Sequence, residues 1–477
     1  MVSRAFPQET GQPIPSPSSS RKPEPEVQKT TNPGSLVYVL ESIEVRGNDK
    51  TQTQVITGFI PLKPGDLFSP DDPRLLESRY RLLATGFFND VRMSLEKGKK
   101  RGSVKLVVDV TERGTIVVQD IALGWSDITV YGGLDVAENN FLGAGMHLSG
   151  AVVGGKDQVG ARLRFAYPYF LDLPVGIRVE ALYNHAKDYF GNEDISIGGN
   201  TETKSYATVA YERYGGKVGI TRDLGEERFI LVDYRFEGLD TTLPSAASDR
   251  EGGEIRPIQF DILPGRSYLS TLKLGFERDT RDDPYLTRRG SLIDVSVEVG
   301  SKVLGGTYDF AKFDFGIDYY FHLPWKHTLK TSLSLGLILG DAPFFVQYFI
   351  GDLSSLIPSR VLEMNFTHLR PTILDTYIQE KRYDDISGSA TFEYIIPLYR
   401  SSGFLYGFDF FFGGGLIALC SAEDFYTTPQ GYSGFSTLPV DITADLGLRF
   451  NTNWGVLGVS ASNFFRLIPN IGEEAVK

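Results

Sequence analysis

Apolar and polar residues alternate along most of this chain, which is the pattern of β-strands whose two faces meet different surroundings. In the stretch 276–299, every second residue from Ile293 to Val299 is aliphatic, and polar residues stand between them. A single strand of this kind would also fit a soluble sheet with one face on a core. Because the alternation recurs from Ile116 to the end of the chain, it indicates a barrel wall with an apolar outer face and a polar lumen.

The alternating runs predict fifteen strands, most of them close to the roughly 9 to 11 residues that a tilted transmembrane strand needs. They are 128–138, 146–154, 159–168, 175–187, 205–214, 217–223, 229–238, 268–279, 290–300, 309–322, 328–340, 385–397, 404–416, 440–451 and 455–465. Bacterial single-chain barrels have even strand counts, so one strand of this set is misassigned or absent. The predicted fold class is therefore a membrane all-β protein, an antiparallel transmembrane β-barrel of about 14 to 16 strands.

The chain before the barrel differs from it in composition and in its hydrophobic pattern. Residues 1–35 are rich in Pro, Ser and Glu and poor in apolar side chains, so they are predicted to be disordered. Residues 36–115 predict one small α+β domain with the element order β-α-α-β-β. Its second helix is expected to start at a Ser69 cap with Pro70 in the first turn. The barrel is assigned to residues 116–477.

The connections between the predicted strands sort by length. Short turns such as that around Lys326 alternate with long loops such as 239–266 and 341–384. If the short side is periplasmic, the domain 36–115 lies on that side and the loop 341–384 is extracellular. A loop of this length is uncommon unless it is functional or disordered.

Composition and charge exclude several function classes. The chain has 477 residues, and its 60 acidic against 48 basic side chains give a net charge of -12, which argues against nucleic-acid binding. Cys420 is the single cysteine and the five histidines are dispersed, so no disulfide, metal site or cofactor is expected. No nucleophile motif of the G-x-S-x-G kind occurs, so no catalytic residue is assigned and the protein is not expected to be an enzyme.

The start of the chain has no apolar h-region. For an exported protein, this implies that a signal peptide has been removed or that the assigned start is wrong.

Two sets of motifs carry a resemblance to a known family. The α+β segment contains IEVRGN, LKPGDLFS, RYRLLATGFFNDVRM and VKLVVDVTER, and it resembles a POTRA domain, the periplasmic module of outer-membrane protein assembly factors. The stretch FERDTRDDPYLTRRGSLIDVSVEV resembles that family's strand pair of the form D-x-R-D-x-P…RG, and ATFEYIIPLY resembles a later strand of its surface-antigen type barrel. The chain as a whole therefore resembles the BamA-like superfamily.

The resemblance suggests candidate site residues in the long loop and at the last strand. In relatives this loop carries a VRGF or IRGF arginine motif, which tucks into the lumen and contacts acidic wall residues; here its nearest equivalent is Pro358-Ser359-Arg360-Val361. Arg360 is therefore a candidate partner of Asp409 or Glu393, with a solvated loop arginine as the alternative. Relatives also end in an aromatic strand, and Phe464 and Phe465 are the candidates for that position. Because residues 466–477 follow them, this strand is either the last one with an unpaired tail or the penultimate one.

The resemblance implies an outer-membrane insertase or translocase that receives unfolded client polypeptides at the POTRA domain and assembles them through the barrel. Its partners would be unfolded outer-membrane or secreted polypeptides and the lipid bilayer, with periplasmic chaperones or accessory lipoproteins as further candidates. A polypeptide-secreting pore of the same superfamily is the nearest alternative. A membrane hydrolase with its site at the barrel rim and a diffusion porin are the alternatives from other classes.

Overall fold

The computed structural model describes residues 37–462, apart from short internal gaps. The gaps are residues 127, 169–174, 192–194, 198–199, 205, 226, 245–246, 252–253, 283–285, 354–359, 369–372, 375, 402–403, 430 and 453–454. The predicted disordered segment 1–35 and the aromatic residues Phe464 and Phe465 lie outside the described residues.

The N-terminal part is a four-stranded sheet covered by two helices. Its elements are β1 (Tyr38–Arg46), α1 (Thr53–Gly58), β2 (Leu67–Phe68), α2 (Pro73–Ala84), β3 (Phe88–Lys97) and β4 (Ser103–Glu112). The strand order is β2-β1-β4-β3, and β1 runs parallel to β4 while the other pairs are antiparallel. The predicted β-α-α-β-β order is present, with the two-residue strand β2 added between the helices.

The helix α2 begins three residues later than the sequence pattern predicted. Its cap is Asp72 rather than Ser69, because the Asp72 carboxylate accepts a hydrogen bond from the Arg74 amide at 2.9 Å and Pro73 occupies the first turn. Inward-facing aliphatic and aromatic side chains from both helices and the sheet, among them Leu82 and Leu106, form a buried core. This core is separate from the hydrophobic clusters of the remaining chain.

The rest of the described chain forms one antiparallel sheet of 15 strands with small accessory strands in its loops. The sheet strands are β5 (Ile116–Trp125), β6 (Val130–Phe141), β7 (Met146–Gly155), β8 (Gln158–Tyr167), β9 (Val175–Phe190), β12 (Ala207–Gly225), β13 (Arg228–Thr242), β16 (Gly265–Asp279), β17 (Gly290–Gly300), β18 (Phe310–His322), β19 (Thr328–Gly340), β22 (Ile386–Arg400), β23 (Leu405–Cys420), β24 (Val440–Thr452) and β25 (Gly455–Ser462). The accessory strands are β10 (Ile195–Ile197), β11 (Asn200–Lys204), β14 (Ala247–Glu251), β15 (Glu254–Pro257), β20 (Tyr348–Phe349) and β21 (Tyr383–Asp384).

The predicted strand set was wrong at two places that cancel in the count. The first wall strand is β5, which the set omitted, and the two strands predicted at 205–214 and 217–223 are the single strand β12. Gly215 and Gly216 look like a turn in the sequence, but each lies opposite a neighbouring strand's backbone so closely that a Cβ would overlap it. The glycines therefore serve close strand packing and do not end the strand.

The two faces of the wall differ in polarity. Along β16 and β17, Leu272, Leu274 and Val299 are exposed on the outer face, whereas Lys273 and Glu298 face inward and are paired in register. Sequential strands pair throughout, and the first and last, β5 and β25, lie beside each other. The predicted membrane β-barrel class is confirmed. In the part of the chain that the structure describes, the helices are too short and too polar to cross a membrane.

The connections longer than ten residues all lie at one end of the barrel. The turn between β6 and β7 contacts the N-terminal domain through a hydrogen bond from the Gln52 amide to the Gly143 carbonyl at 2.8 Å. Because successive strands run in opposite directions, every second connection lies on this same side, and the longest of these connections, 280–289, has ten residues. The long connections, including the one between β19 and β22, lie at the opposite end of the barrel.

Candidate functional site

The long connection between β19 and β22 folds into the barrel. We call residues 341–385 the lumenal loop; it contains β20, β21 and the short helix Tyr377–Glu380. Its side chains Phe344, Leu362 and Met364 are buried in one hydrophobic cluster with inward-facing wall residues. The wall residues of that cluster come from strands on several sides of the barrel and include Ala122, Val153, Ala186, Val209, Leu239 and Leu269. The lumenal loop therefore fills the barrel at the end remote from the N-terminal domain.

Aromatic contacts fix the lumenal loop against the wall. The Phe366 ring stacks on Tyr131 with centroids 4.6 Å apart, and the Phe344 ring packs edge-on against Phe190 at 5.2 Å and Tyr211 at 5.5 Å. Such pairs contribute roughly 0.5–1.5 kcal/mol each beyond the area that they bury. The loop is thus packed against the wall as part of a hydrophobic core.

A buried charge cluster joins the tip of the loop to the wall. We call Arg213, Arg235, Glu237 and Glu363 the lumenal lock. Glu237 lies 2.5 Å from Nε of Arg213 and 2.6 Å from Nε of Arg235, and Glu363 of the loop forms an ion pair with Arg213 and lies 3.8 Å from Arg235. The Arg213 side chain is 1% exposed. The buried Arg213 and the half-buried Arg235 thus share one wall carboxylate, and Glu363 supplies the second negative charge.

Further hydrogen bonds hold the loop backbone to the wall. Nδ2 of Asn184 donates to the Leu362 carbonyl at 2.9 Å, Oγ of Ser126 donates to the Phe366 carbonyl at 2.6 Å, and Nε2 of Gln158 donates to the Asn365 carbonyl at 3.2 Å. Asp188 on β9 accepts from Nε of Arg382 at 3.2 Å and from the Tyr383 hydroxyl. The polar backbone of the loop, which would be costly to bury alone, is thereby satisfied.

Arg360 does not make the contact that the resemblance suggested. Nε of Arg360 donates to Asp352 at 3.0 Å and Nη1 donates to the Phe345 carbonyl at 3.0 Å, so the guanidinium braces the loop internally. The predicted partners are taken by wall cations: Asp409 pairs with Arg400 at 2.6 Å and Glu393 with Arg449 at 3.0 Å. Pro358 and Ser359 of the motif lie outside the described residues.

The wall on the side of the N-terminal domain is lined with ion pairs. In addition to the pairs of Asp409 and Glu393, three others bridge neighbouring or next-neighbouring strands: Arg178–Asp233 at 2.8 Å, Lys217–Glu180 at 3.3 Å and Lys330–Asp318 at 2.9 Å. This half of the lumen contrasts with the apolar, loop-filled half. Within the described residues, no group of three or more His, Cys, Asp or Glu side chains is arranged to hold a metal ion.

The edge strands β5 and β25 form a seam. They lie side by side, but in the described part of the chain the hydrogen-bonded order of the sheet starts at β25 and ends at β5 without a ladder joining them. With 15 strands in alternating directions, both run the same way and cannot form an antiparallel ladder with each other. The predicted terminal aromatics Phe464 and Phe465 lie outside the described residues, so their role at the seam stays a prediction.

The N-terminal domain is hydrogen-bonded to the barrel close to this seam. Nδ2 of Asn140, at the end of β6, donates to Oγ1 of Thr51 at 2.8 Å in a buried contact, and Nε2 of Gln52 donates to the Leu142 carbonyl at 3.2 Å. Glu112 at the end of β4 accepts from the Lys50 and Thr51 amides. Burial raises the pKa of Glu112, but the hydrogen bonds from Thr51 and Lys50 outweigh it and hold the pKa below its ordinary value.

The lumenal lock was not among the residues that the sequence analysis singled out. Its wall members occupy inward positions of the neighbouring strands β12 and β13, and Glu363 stands only three residues after Arg360. The sequence shows an acidic residue in the loop and two arginines in the wall, but it does not show that they are in contact. Their pairing joins positions about 130 to 150 residues apart, which no local pattern reveals.

Comparison with family models gives two matches. Residues 38–113 match the POTRA model, described as a surface antigen variable number repeat, and residues 140–357 match the Omp85 superfamily domain. Together the two models cover more than half of the chain.

Curated relatives are similar over parts of their length. The chain is 24% identical over 325 residues to an outer membrane protein assembly factor BamA of Nitratidesulfovibrio vulgaris, an alignment that covers 67% of this chain and 37% of the relative. It is 31% identical over 106 residues to a BamA of Neorickettsia risticii, covering 22% of this chain and 14% of the relative. The chain therefore spans well under two thirds of the length of these relatives.

Solved structures share the fold. BamA from Haemophilus ducreyi lacking POTRA domains 1–3 superposes with a TM-score of 0.55 at 17% identity, covering 89% of this chain and 80% of that one. CdiB from Escherichia coli superposes with a TM-score of 0.56 at 10% identity, covering 87% and 70%. At these identities the likeness shows the fold alone.

Proposed function

The chain is a BamA-like member of the Omp85 superfamily, with a POTRA domain before an outer-membrane barrel, and from this premise we propose that it assembles client β-barrel polypeptides into the outer membrane. Membership in this superfamily means that the barrel lies in the outer membrane and the POTRA domain in the periplasm. The relatives that it resembles are named as assembly factors rather than enzymes, in agreement with the non-enzymatic prediction.

The observation that carries the proposal is the combination of a seam without a ladder and a lumen closed on the outer side. The edges of β5 and β25 can pair with an incoming strand, which would otherwise expose unsatisfied backbone groups to hydrocarbon. The ion-paired half of the lumen faces the periplasm, and the lumenal loop closes the other half. A client can therefore reach the seam from the periplasm without passing through the barrel.

The POTRA domain supplies a first strand-binding edge in this proposal. Among the described strands β3 pairs only with β4, so its outer edge presents the backbone groups of alternate residues, apart from the Val91 carbonyl, which accepts a hydrogen bond from Nε of Arg79 at 2.7 Å. An unfolded client strand can add to such an edge through main-chain hydrogen bonds, without a specific sequence. The domain boundaries 36–115 and 116–477, with 341–384 as an extracellular loop, belong to this proposal. So do periplasmic chaperones and accessory lipoproteins as partners.

Polypeptide secretion is the second candidate, and the fold shared with CdiB is compatible with it. Secretion through the lumen would require the lumenal loop to leave, which would break the lumenal lock and the Asp188 contacts. Insertion through the seam needs neither. The same closure speaks against a diffusion porin, since a porin needs an open lumen.

Deletion of residues 36–115 separates these functions. In liposomes that contain the purified barrel, we expect the deletion to abolish folding of a urea-unfolded outer-membrane β-barrel client, because the periplasmic strand-binding edge is lost. Folding of the client is measured by its heat-modifiable shift on gels, and the variant's own shift is the control that its barrel has formed. Full client folding by the truncated barrel would contradict the proposal, and an unchanged ion conductance without client folding would indicate a porin.

A further inference from the structure

The POTRA domain has a strongly basic end in a chain that is acidic overall. The turn between β3 and β4 carries four exposed cations within five residues, Lys97, Lys99, Lys100 and Arg101, while the whole chain has a net charge of -12. We call these four residues the basic end. Each of these positive charges raises the local electrostatic potential, so the turn attracts anionic groups.

The cationic side chains of the basic end have no ion-pair partner among the described residues. None of their side chains makes a salt bridge or hydrogen bond in the described part of the chain. Other basic residues of the same domain are paired: Arg46 with Glu96 at 2.9 Å, Arg74 with Asp72 at 2.8 Å, and Arg81 with Glu77 at 2.7 Å. These three arginines thus have carboxylate partners within the domain, whereas the four side chains of the basic end remain available to a ligand.

The nearest carboxylate already has a structural task. Glu41 accepts hydrogen bonds from the Lys99 amide at 2.7 Å and from Oγ of Ser103 at 2.7 Å, which fixes the shape of the turn. The turn is thus held by backbone and serine contacts, and its cationic side chains project from a defined scaffold. The side chains can be replaced without removing these contacts.

Apolar side chains stand exposed beside the basic end. The Val39 amide donates to the Gly102 carbonyl at 3.0 Å, and Val39 pairs with Leu67 across the β1–β2 edge. Val39 is 41% exposed and Leu67 is 64% exposed. A surface of this kind, with apolar contacts rimmed by charge, is typical of protein interfaces and differs from a purely solvated charged turn.

The position of the basic end indicates the compartment of its ligand. β4 ends at Glu112, which binds the segment that docks on the barrel, whereas the turn lies at the other end of this ten-residue strand. At about 3.3 Å per residue, the turn is roughly 30 Å from the barrel junction, about three times the Debye length at 0.1 M salt. The basic end therefore faces the periplasm and lies far from the seam.

We propose that the basic end, together with Val39 and Leu67, docks an acidic, extended segment of a periplasmic protein. Glutamate or aspartate side chains of this segment pair with the four cations, and its apolar side chains cover Val39 and Leu67. The site is separate from the client path through the seam, so the acidic segment binds on the periplasmic side without blocking that path. It does not depend on whether the barrel inserts or secretes.

The test is binding of a fluorescein-labelled peptide of alternating Glu and Val to the full-length protein in detergent. In the variant Lys99→Ser/Lys100→Ser/Arg101→Ser, which keeps Gly98 and Gly102, we expect binding to weaken about tenfold at low salt, as the loss of three rim ion pairs would give. The salt dependence of binding should become shallower. Leu67→Ser should weaken binding about threefold while leaving the salt dependence unchanged, since it removes only apolar area.

The matched control removes three exposed lysines elsewhere, Lys63→Ser/Lys156→Ser/Lys326→Ser, and should leave peptide affinity unchanged within about twofold. Equal losses in both triple variants, or equal binding of a Lys-Val peptide, would overturn the proposal. Vesicles of anionic phospholipid form the second arm. If they bind the protein through the same three residues while the acidic peptide does not bind, the site recognises a lipid surface and the proposal is wrong.

Discussion

Replacing Glu363 by lysine is expected to release the lumenal loop and open the barrel to ions. The change would put a third cation beside Arg213 and Arg235, with Glu237 as their nearest wall carboxylate. Removing one partner of a buried ion pair typically costs about 3 to 5 kcal/mol, and adding a like charge costs more. A loss of this size shifts the equilibrium between docked and undocked loop toward the undocked state by a factor of about 100 or more, relative to the unchanged protein.

Single-channel conductance in planar bilayers measures this opening. We expect the unchanged protein to be nearly closed and Glu363→Lys to show frequent large conductance steps. Glu423→Lys is the matched control, because Glu423 is an exposed loop residue on the same side of the barrel and its reversal should leave the channel closed. A closed Glu363→Lys barrel would mean that the apolar packing holds the loop without the lumenal lock.

Replacing Gly143 by valine is expected to undock the POTRA domain from the barrel. Gly143 has a φ of 68°, and a Cβ at this position would overlap the Lys50 carbonyl of the POTRA domain. A backbone carbonyl cannot move aside as a flexible side chain does, so the Gln52–Gly143 and Asn140–Thr51 contacts must separate. We expect client folding to fall at least tenfold while the variant's own barrel still forms.

Gly305→Val is the control for the cost of the strained backbone. Gly305 has a φ of 91°, and a Cβ there would meet open space. Hydrogen exchange of the segment 48–58 reports undocking directly: Gly143→Val should raise it and Gly305→Val should not. Unchanged exchange in Gly143→Val would show that the junction tolerates the added side chain, and the coupling between domain and barrel would then need another explanation.

The barrel wall was predictable because its signal is local and repeated. Strict alternation, as in β17 and β19, places apolar residues outside and polar residues inside within each strand. β5 was missed because apolar residues occupy both faces of its sequence, IVVQDIALGW. Small and apolar inward residues such as Ala122 pack against the lumenal loop. Inward positions of β5 are therefore not consistently polar, and the alternating pattern is lost in this strand.

The site could not be predicted in the same way because it depends on contacts distant in sequence. The family resemblance pointed to a loop arginine and to wall carboxylates, and these residue types are present in Arg360, Asp409 and Glu393. In the structure Asp409 and Glu393 pair with wall cations, and the loop meets the wall through two other ion pairs, Glu363 with Arg213 and Arg382 with Asp188. Which charge meets which is set by strand register and loop packing together.

We propose that client strands are assembled at the seam between β5 and β25. Reversible closure of that seam tests this proposal most directly. In a Cys420→Ser background, which removes the free native thiol, Val459→Cys on β25 is combined in turn with Ile121→Cys and Leu123→Cys on the exposed face of β5. The pair that cross-links on oxidation should lose client folding in liposomes almost completely and regain it on reduction. Undiminished client folding with the seam efficiently cross-linked would contradict the claim.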